Sequence, residues 1–300
     1  MTKKRLPSVL ALFSLTFICH VEAGEFYTPH DRHQRLGRID LATGAGTDIG
    51  SFGTTESGYR LASGAFDVNG DFYSIALLPG NVGSQLARVD VDTGLATPIG
   101  PRGDIPLLGM EIDANGAMYA TQIVYPHFGI EGETLLHRVD KATGILTPIG
   151  NTGVLRSMDM AFDSTRTLWL VGGEEGGNRL YTLDPTTGAA TFKTVISDAS
   201  GEIDIAQGGV EIMGIMFDEH DTLYATAFLS EPDPNPYESP LFTINTTTGF
   251  ASVVGQTGLR LPHGGDYLVP EPLSLTIFAP GLIGLLLVRR RRSGYAKCRT

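Results

Sequence analysis

Leu86-Ala87-Arg88-Val89-Asp90-Val91-Asp92-Thr93-Gly94-Leu95-Ala96-Thr97-Pro98-Ile99-Gly100 reads as two short strands joined by a turn. Leu86 to Val89 alternates as a half-buried strand does. Asp90 can bond the backbone ahead of it, and Gly94 takes a left-handed turn position. Proline lacks the N–H that a ladder needs, so Pro98 places the return strand at an outer sheet edge.

The same pattern occurs five times. It appears at Leu36 to Gly44, Leu86 to Gly94, Leu136 to Gly144, Leu180 to Gly188 and Leu241 to Gly249, with the glycines 50, 50, 44 and 61 residues apart. Pro148 repeats Pro98. A second hairpin precedes the first in four units. Gly64-Ala65-Phe66-Asp67 turns through Asn69-Gly70 into Phe72-Tyr73, and Met110-Glu111-Ile112-Asp113 turns through Asn115-Gly116 into Met118-Tyr119. Met160 to Asp163 leads likewise to Leu168-Trp169, and Ile215 to Asp218 to Leu223-Tyr224. One unit is therefore four antiparallel strands, a to d, and repeats of this length made only of strands indicate propeller blades.

The ends supply the closure. The first unit starts at strand b, Glu25-Phe26-Tyr27, and the last leaves a lone strand a, Gly265 to Leu268. Joined, they make one blade. The expected fold is all-β: a five-bladed β-propeller of four-stranded antiparallel blades over residues 24–269, sealed by its N- and C-terminal strands so that no open edge remains. A six- or seven-bladed ring with degenerate repeats is the alternative. The repeats resemble those of quinoprotein-like propellers, a fold-level likeness in a class whose five-bladed members include lectins and glycosidases.

The flanks are of another kind. Lys3, Lys4 and Arg5 precede the apolar run Val9 to Ile18 and the small residues before Gly24, as in a signal peptide spanning residues 1–23 and cleaved after Ala23. At the other end Val269, Pro270, Glu271 and Pro272 introduce an uncharged stretch, residues 273–288, and then Arg289, Arg290, Arg291 and Arg292 within a basic tail, 289–300. Such an order implies a transmembrane helix with its arginines on the cytoplasmic side. These residues resemble the PEP-CTERM sorting signal of Gram-negative bacteria, with 270–272 as the motif. The resemblance implies an exosortase-type enzyme as partner, anchorage in the inner membrane through the C-terminus, and delivery to the cell envelope or extracellular matrix. The extra residues Ser293 to Thr300 depart from the usual pattern.

The whole chain carries a net charge of −11, but residues 24–272 hold 13 Lys and Arg against 32 Asp and Glu, a balance of −19. That field repels nucleic acid. The two cysteines, Cys19 and Cys298, lie in the flanks, which leaves the ring without disulfides, Cys-based zinc sites or a cysteine nucleophile. Nor does the sequence contain Gly-x-Ser-x-Gly, Gly-x-x-x-x-Gly-Lys or His-Glu-x-x-His.

Two places can bear function. The b–c and d–a connections, such as Gln122 to Thr134 and Ala227 to Pro240, are long and acidic, and suit capture of calcium by oxygen ligands or simply a solvated rim. The channel is the second. Strands a or their approaches carry Glu111, Asp159, Glu211 and Asp266, candidate ligands for a metal that activates water in a lactonase- or glycosidase-like hydrolase. Their offsets along the strands differ, so at most some can converge. The leading expectation is a binding or structural surface protein, associated with polysaccharide or another surface protein. The metal-dependent hydrolase is the alternative.

Overall fold

The computed structural model describes residues 24–31, 34–53, 59–122, 134–173, 178–199, 201–202, 210–229 and 239–268. The residues read as a signal peptide, a sorting motif and a membrane-anchored tail lie outside this set, as do most residues of the long connections.

The turn chemistry read from sequence is what shapes each unit. Gly44, Gly94, Gly144, Gly188 and Gly249 have φ between +70° and +80°. Behind each, a side-chain oxygen of Asp40, Asp90, Asp140, Asp184 or Asn245 accepts the amide of a turn residue at 2.8–3.0 Å. Gly70 and Gly116 take the equivalent left-handed places in the a–b turns, at φ +79°. In the other two a–b turns Arg166 (φ +67°) and Asp221 (φ +60°) stand there instead. Asp221 gains from it, because its carboxylate accepts the N–H and hydroxyl of Ser164 on the neighbouring blade at 2.8 and 2.5 Å.

Blade 1 takes β1 (Glu25–His30), β2 (Arg35–Asp40) and β3 (Gly46–Ser51). Blade 2 is β4 (Arg60–Phe66), β5 (Phe72–Leu77), β6 (Ser84–Val89) and β7 (Ala96–Ile99). Blade 3 is β8 (Leu107–Ile112), β9 (Met118–Gln122), β10 (Leu135–Val139) and β11 (Leu146–Asn151). Blade 4 is β12 (Arg156–Phe162), β13 (Leu168–Gly173), β14 (Arg179–Leu183) and β15 (Ala190–Val195), followed by a small hairpin, β16 (Ser197–Asp198) and β17 (Gly201–Glu202). Blade 5 is β18 (Val210–Phe217), β19 (Leu223–Leu229), β20 (Pro240–Ile244) and β21 (Ala251–Gln256). β22 (Asp266–Leu268) then returns to blade 1 as its innermost strand, giving the order β22-β1-β2-β3. The protein is thus a five-bladed propeller of four-stranded antiparallel blades. β7 and β11, which carry Pro98 and Pro148, are outer edges.

Closure rests on β22. Glu25 pairs with Leu268, Phe26 with Tyr267 and Tyr27 with Asp266. Thr28 donates its hydroxyl to the His263 carbonyl at 2.8 Å, and the His263 N–H bonds the Pro29 carbonyl at 2.9 Å. The innermost strands touch in a cycle, β22 to β4, β8, β12, β18 and back to β22.

The rim closes by a second, repeated device. The end of each outer strand lies beneath the Thr-Gly turn of the next blade. A Cβ placed on Gly50 would stand 2.2 Å from the Thr93 carbonyl oxygen, on Gly100 1.8 Å from that of Thr143, on Gly150 1.9 Å from that of Thr187 and on Gly255 2.0 Å from that of Thr43. Backbone bonds run beside these contacts: Ala96 N–H to the Phe52 carbonyl (3.1 Å), Ala190 N–H to Thr152 (3.1 Å) and Gly46 N–H to Thr257 (2.8 Å). The last crosses from blade 5 to blade 1, so the seam repeats the ordinary blade-to-blade junction. Between blades 4 and 5 Thr194 stands where the other outer strands have glycine, and Ser197 N–H reaches the Gly249 carbonyl at 3.0 Å.

Apolar residues fill the spaces between blades. Leu36, Leu61, Phe72 and Ala87 pack with Tyr27 and Phe66 near the seam, and Ile212, Ile215, Val171 and Leu180 fill the opposite side. Rings meet edge-on or tilted across these gaps, Tyr27 to Phe66 at 5.4 Å and Trp169 to Phe217 at 6.1 Å, which adds to the area term. Trp169 packs half-buried against the core and donates its indole N–H to Asp163 at 2.8 Å.

Candidate functional site: the channel axis and its mouth

Equivalent ladder positions align the five inner strands. Phe66, Ile112, Phe162, Phe217 and Tyr267 occupy one ring, each paired with the first core residue of strand b. One residue back stand Ala65, Glu111, Ala161, Met216 and Asp266. Three residues back stand Ser63, Gly109, Asp159, Gly214 and Gly264. Side chains two apart on a strand share a face, so these are successive layers of one wall, about 7 Å apart.

The deeper layer is closed by one carboxylate. Asp159 is fully buried, accepting the Ser63 hydroxyl from blade 2 at 2.7 Å and the Ile215 N–H from blade 5 at 3.0 Å. A Cβ on Gly264, leading into blade 1, would fall 2.5 Å from its carboxyl carbon, and one on Gly109 of blade 3 would fall 3.0 Å from its Cα. Asp159 therefore meets all five blades, and the small residues at its level make room for it. An innermost strand has no neighbour on the axial side, so its amides there need another acceptor. Asp159 and Asp266 supply it. Asp266 accepts the Phe66 N–H of the next blade at 2.8 Å and its own Tyr267 N–H at 2.7 Å.

Three of the four expected channel carboxylates therefore come together, Glu111, Asp159 and Asp266. Glu211 does not join them. It sits at the start of β18 and pairs with Arg156 at the start of β12, five residues before the Glu111 and Asp266 level, roughly 16 Å along the strand. Its offset in sequence already differed from theirs, and the Arg156 guanidinium gives it a partner.

Burial raises Asp159 well above the carboxylate range, against the pull of Ser63 and Ile215. Glu111 is raised by burial first and by the nearby Asp266 and Asp159 next. Asp266 is pushed up to about 6 by desolvation, with the Phe66 and Tyr267 amides opposing. A carboxyl raised in the fold binds protons that the unfolded chain has released, so stability falls as pH rises from about 4 through 6. The turn residues act oppositely. Asp90 and Asp140 are held down by the side chain and amide of Thr93 and Thr143, and their contribution is lost as pH falls below their range. Maximal melting temperature is expected at about pH 4, above the range in which the turn carboxylates protonate and below that in which Asp266 ionises. Asp159→Ala, which strands the Ile215 N–H and opens a void, is expected to cost about 2–4 kcal/mol. Asp159→Asn can still accept from Ile215 and donate to Ser63, and should be near neutral at pH 7 while flattening the pH dependence. Melting scans from pH 4 to 8 check both; equal losses for the two variants would contradict this account.

Above Asp159 the axis widens into a cavity of about 560 Å3 on the a–b turn face, lined from every blade. Its floor holds Glu111 and Asp266. Phe66, Ile112, Phe162, Phe217 and Tyr267 form its collar, and Asp67, Asp113, Asp163, Asp218 and Glu219 stand at the rim. No Lys, Arg or His is among these lining residues. Asp67 is matched from outside by Lys141 at 2.9 Å. The described cavity is on the short-turn face; the long connections expected to bind lie mostly outside the described residues. Nothing in the individual turns marks it, because it exists only where five turns meet around an axis.

The residues present do not fit a resident metal ion. Among the described residues no three His, Cys, Asp or Glu side chains are placed to share one. Asp159 and Asp266 have both oxygens engaged by N–H or O–H donors.

No family model and no curated protein matches the chain. Among solved structures, a chain of a nidogen/laminin complex is similar over 83% of this chain and 99% of its own length, at 12% identity and a TM-score of 0.50. A gluconolactonase from Xanthomonas campestris (12% identity, 80% and 77% covered, TM-score 0.46) and a virginiamycin B lyase from Staphylococcus aureus (14%, 78% and 70%, 0.42) are also similar. At such identities the likeness is one of fold alone.

Proposed function

We propose that this chain is an exported, envelope-sorted propeller that works as a binding protein of the cell surface or extracellular matrix, with polysaccharide as its partner. The observation that carries this reading is the closed axis. Its buried carboxylates serve the ring by accepting inter-blade hydrogen bonds, and above them lies a blind, acidic, aromatic-sided basin suited to holding a ligand. Val269 to Pro272 and Arg289 to Arg292 supply the sorting half of the proposal, through an exosortase-type enzyme and the inner membrane. Among the described residues no helix is long and apolar enough to cross a membrane; the proposed span is residues 273–288, outside them.

The test has three arms. Elemental analysis and melting with and without chelator should find no stoichiometric ion and no change in melting temperature. A glycan array should return saccharide ligands. The mass of the protein recovered from its native envelope should match cleavage after Ala23. A stoichiometric metal whose removal lowers the melting temperature would favour the hydrolase instead, and an array silent to acidic, basic and neutral glycans would end the saccharide reading.

A further inference from the structure

Glu111 differs from the other two axial carboxylates in one respect. Asp159 and Asp266 each accept a donor from another blade. Glu111 accepts only the Ile112 N–H beside it, through one oxygen at 2.7 Å. Its other oxygen has no hydrogen-bond donor among the described residues, although the residue is 95% buried and lines the basin floor. That oxygen is not a fully buried unpartnered atom, so it is reachable from the basin and can accept a donor supplied there. The only open side is the cavity.

The surroundings narrow the donor. A metal ion needs several convergent oxygens, and among the described residues none are so placed. A nitrogen cation needs fewer: one carboxylate for a charge-assisted bond and ring faces or edges for its body. Phe162 and Phe217, half-buried at the basin wall, provide the rings and the rim aspartates the field, with no competing cation among the lining residues. A volume of about 560 Å3 admits one or two sugar rings.

We propose that the basin binds a saccharide carrying a primary ammonium group, with the ammonium on the free oxygen of Glu111 and the sugar face against the aromatic collar. This rests on the binding-protein reading above and names the ligand class for that site.

The experiment is titration calorimetry on the full ring with a glucosamine trimer and with its fully N-acetylated counterpart, for the wild type, Glu111→Gln and Asp92→Asn. Asp92 is an exposed c–d turn residue remote from the basin, so its variant removes one charge without touching the site. Binding of the amine trimer is expected to weaken tenfold or more in Glu111→Gln and to be unchanged in Asp92→Asn, with all three proteins melting alike and the acetylated trimer binding at least tenfold more weakly. Equal affinity of Glu111→Gln and wild type, equal affinity for the acetylated trimer, or no binding of the amine trimer would each overturn the inference. If an array then finds a neutral or acidic saccharide whose affinity Glu111→Gln leaves intact, the polysaccharide reading stands and only the ammonium site falls. Silence of both experiments removes both.

Discussion

Removing Gly264 to Leu268 is expected to leave a protein that aggregates and shows no cooperative melting transition near that of the intact ring. The segment holds three things at once. It is the inner strand of blade 1, paired with Glu25, Phe26 and Tyr27. It brings Asp266 to cap the Phe66 amide and Gly264 to wall in Asp159. It buries Tyr267, whose side chain alone contributes about 1.5–3 kcal/mol by area. With two or three hydrogen bonds at about 1 kcal/mol each and a loosened buried carboxylate, the loss is about 6–10 kcal/mol, comparable to the whole stability of a typical domain. β1 would also become an exposed apolar edge, the geometry that templates association. Size-exclusion chromatography with light scattering and calorimetry read the outcome. A monomer with an unchanged melting point would mean that closure does not depend on this seam.

Gly150→Ala is expected to be nearly as damaging in proportion to its size. The added methyl would stand 1.9 Å from the Thr187 carbonyl oxygen, which belongs to the backbone of the next blade's turn, so no side chain can rotate away. Gly150 does not have the positive φ of the turn glycines, which leaves close approach as the sole cause. Separating two backbones by more than 1 Å at a packed rim should cost about 3 kcal/mol or more, a fall of roughly 6–12 °C for a ring of this size. Gly103→Ala is the control, since its nearest neighbour would lie at an ordinary 3.5 Å. Its effect should stay within about 0.5 kcal/mol. If both variants melt together, the rim contact is not a fastening. The same close approach accounts for Gly255, which lacks the proline, whereas Gly100 requires glycine both for its contact with Thr143 and for its φ of +66°.

The motif glycines and aspartates were legible because their causes are local. Asp90 bonding Thr93, or Gly94 in a left-handed turn, needs only neighbouring residues, and the pattern carries the same meaning in each unit. The edge role of Pro98 and Pro148 follows from a missing N–H. Even the seam was visible, since a b-strand without a partner at Tyr27 and a partner without a b-strand at Tyr267 can be matched by counting. The axial carboxylates were only half legible. Their residue type and strand were plain, and Glu211 was grouped with them because a strand position fixes the face of a side chain but not its height along an axis whose other walls are unknown.

What this sequence determined by itself is the blade and the way the chain closes on itself, because backbone donors, turn conformations and alternation act over a few residues and repeat; the count of five, rather than six or seven, was decided by the sheet order. Only the tertiary structure decided that Asp159 is a shared keystone of five blades, that the return-strand glycines fasten one blade to the next, and that Glu111, of the three axial carboxylates, turns an oxygen without a donor toward the basin. Those properties belong to distances between residues from 37 to 212 positions apart, set by the ring's packing, which no local pattern encodes.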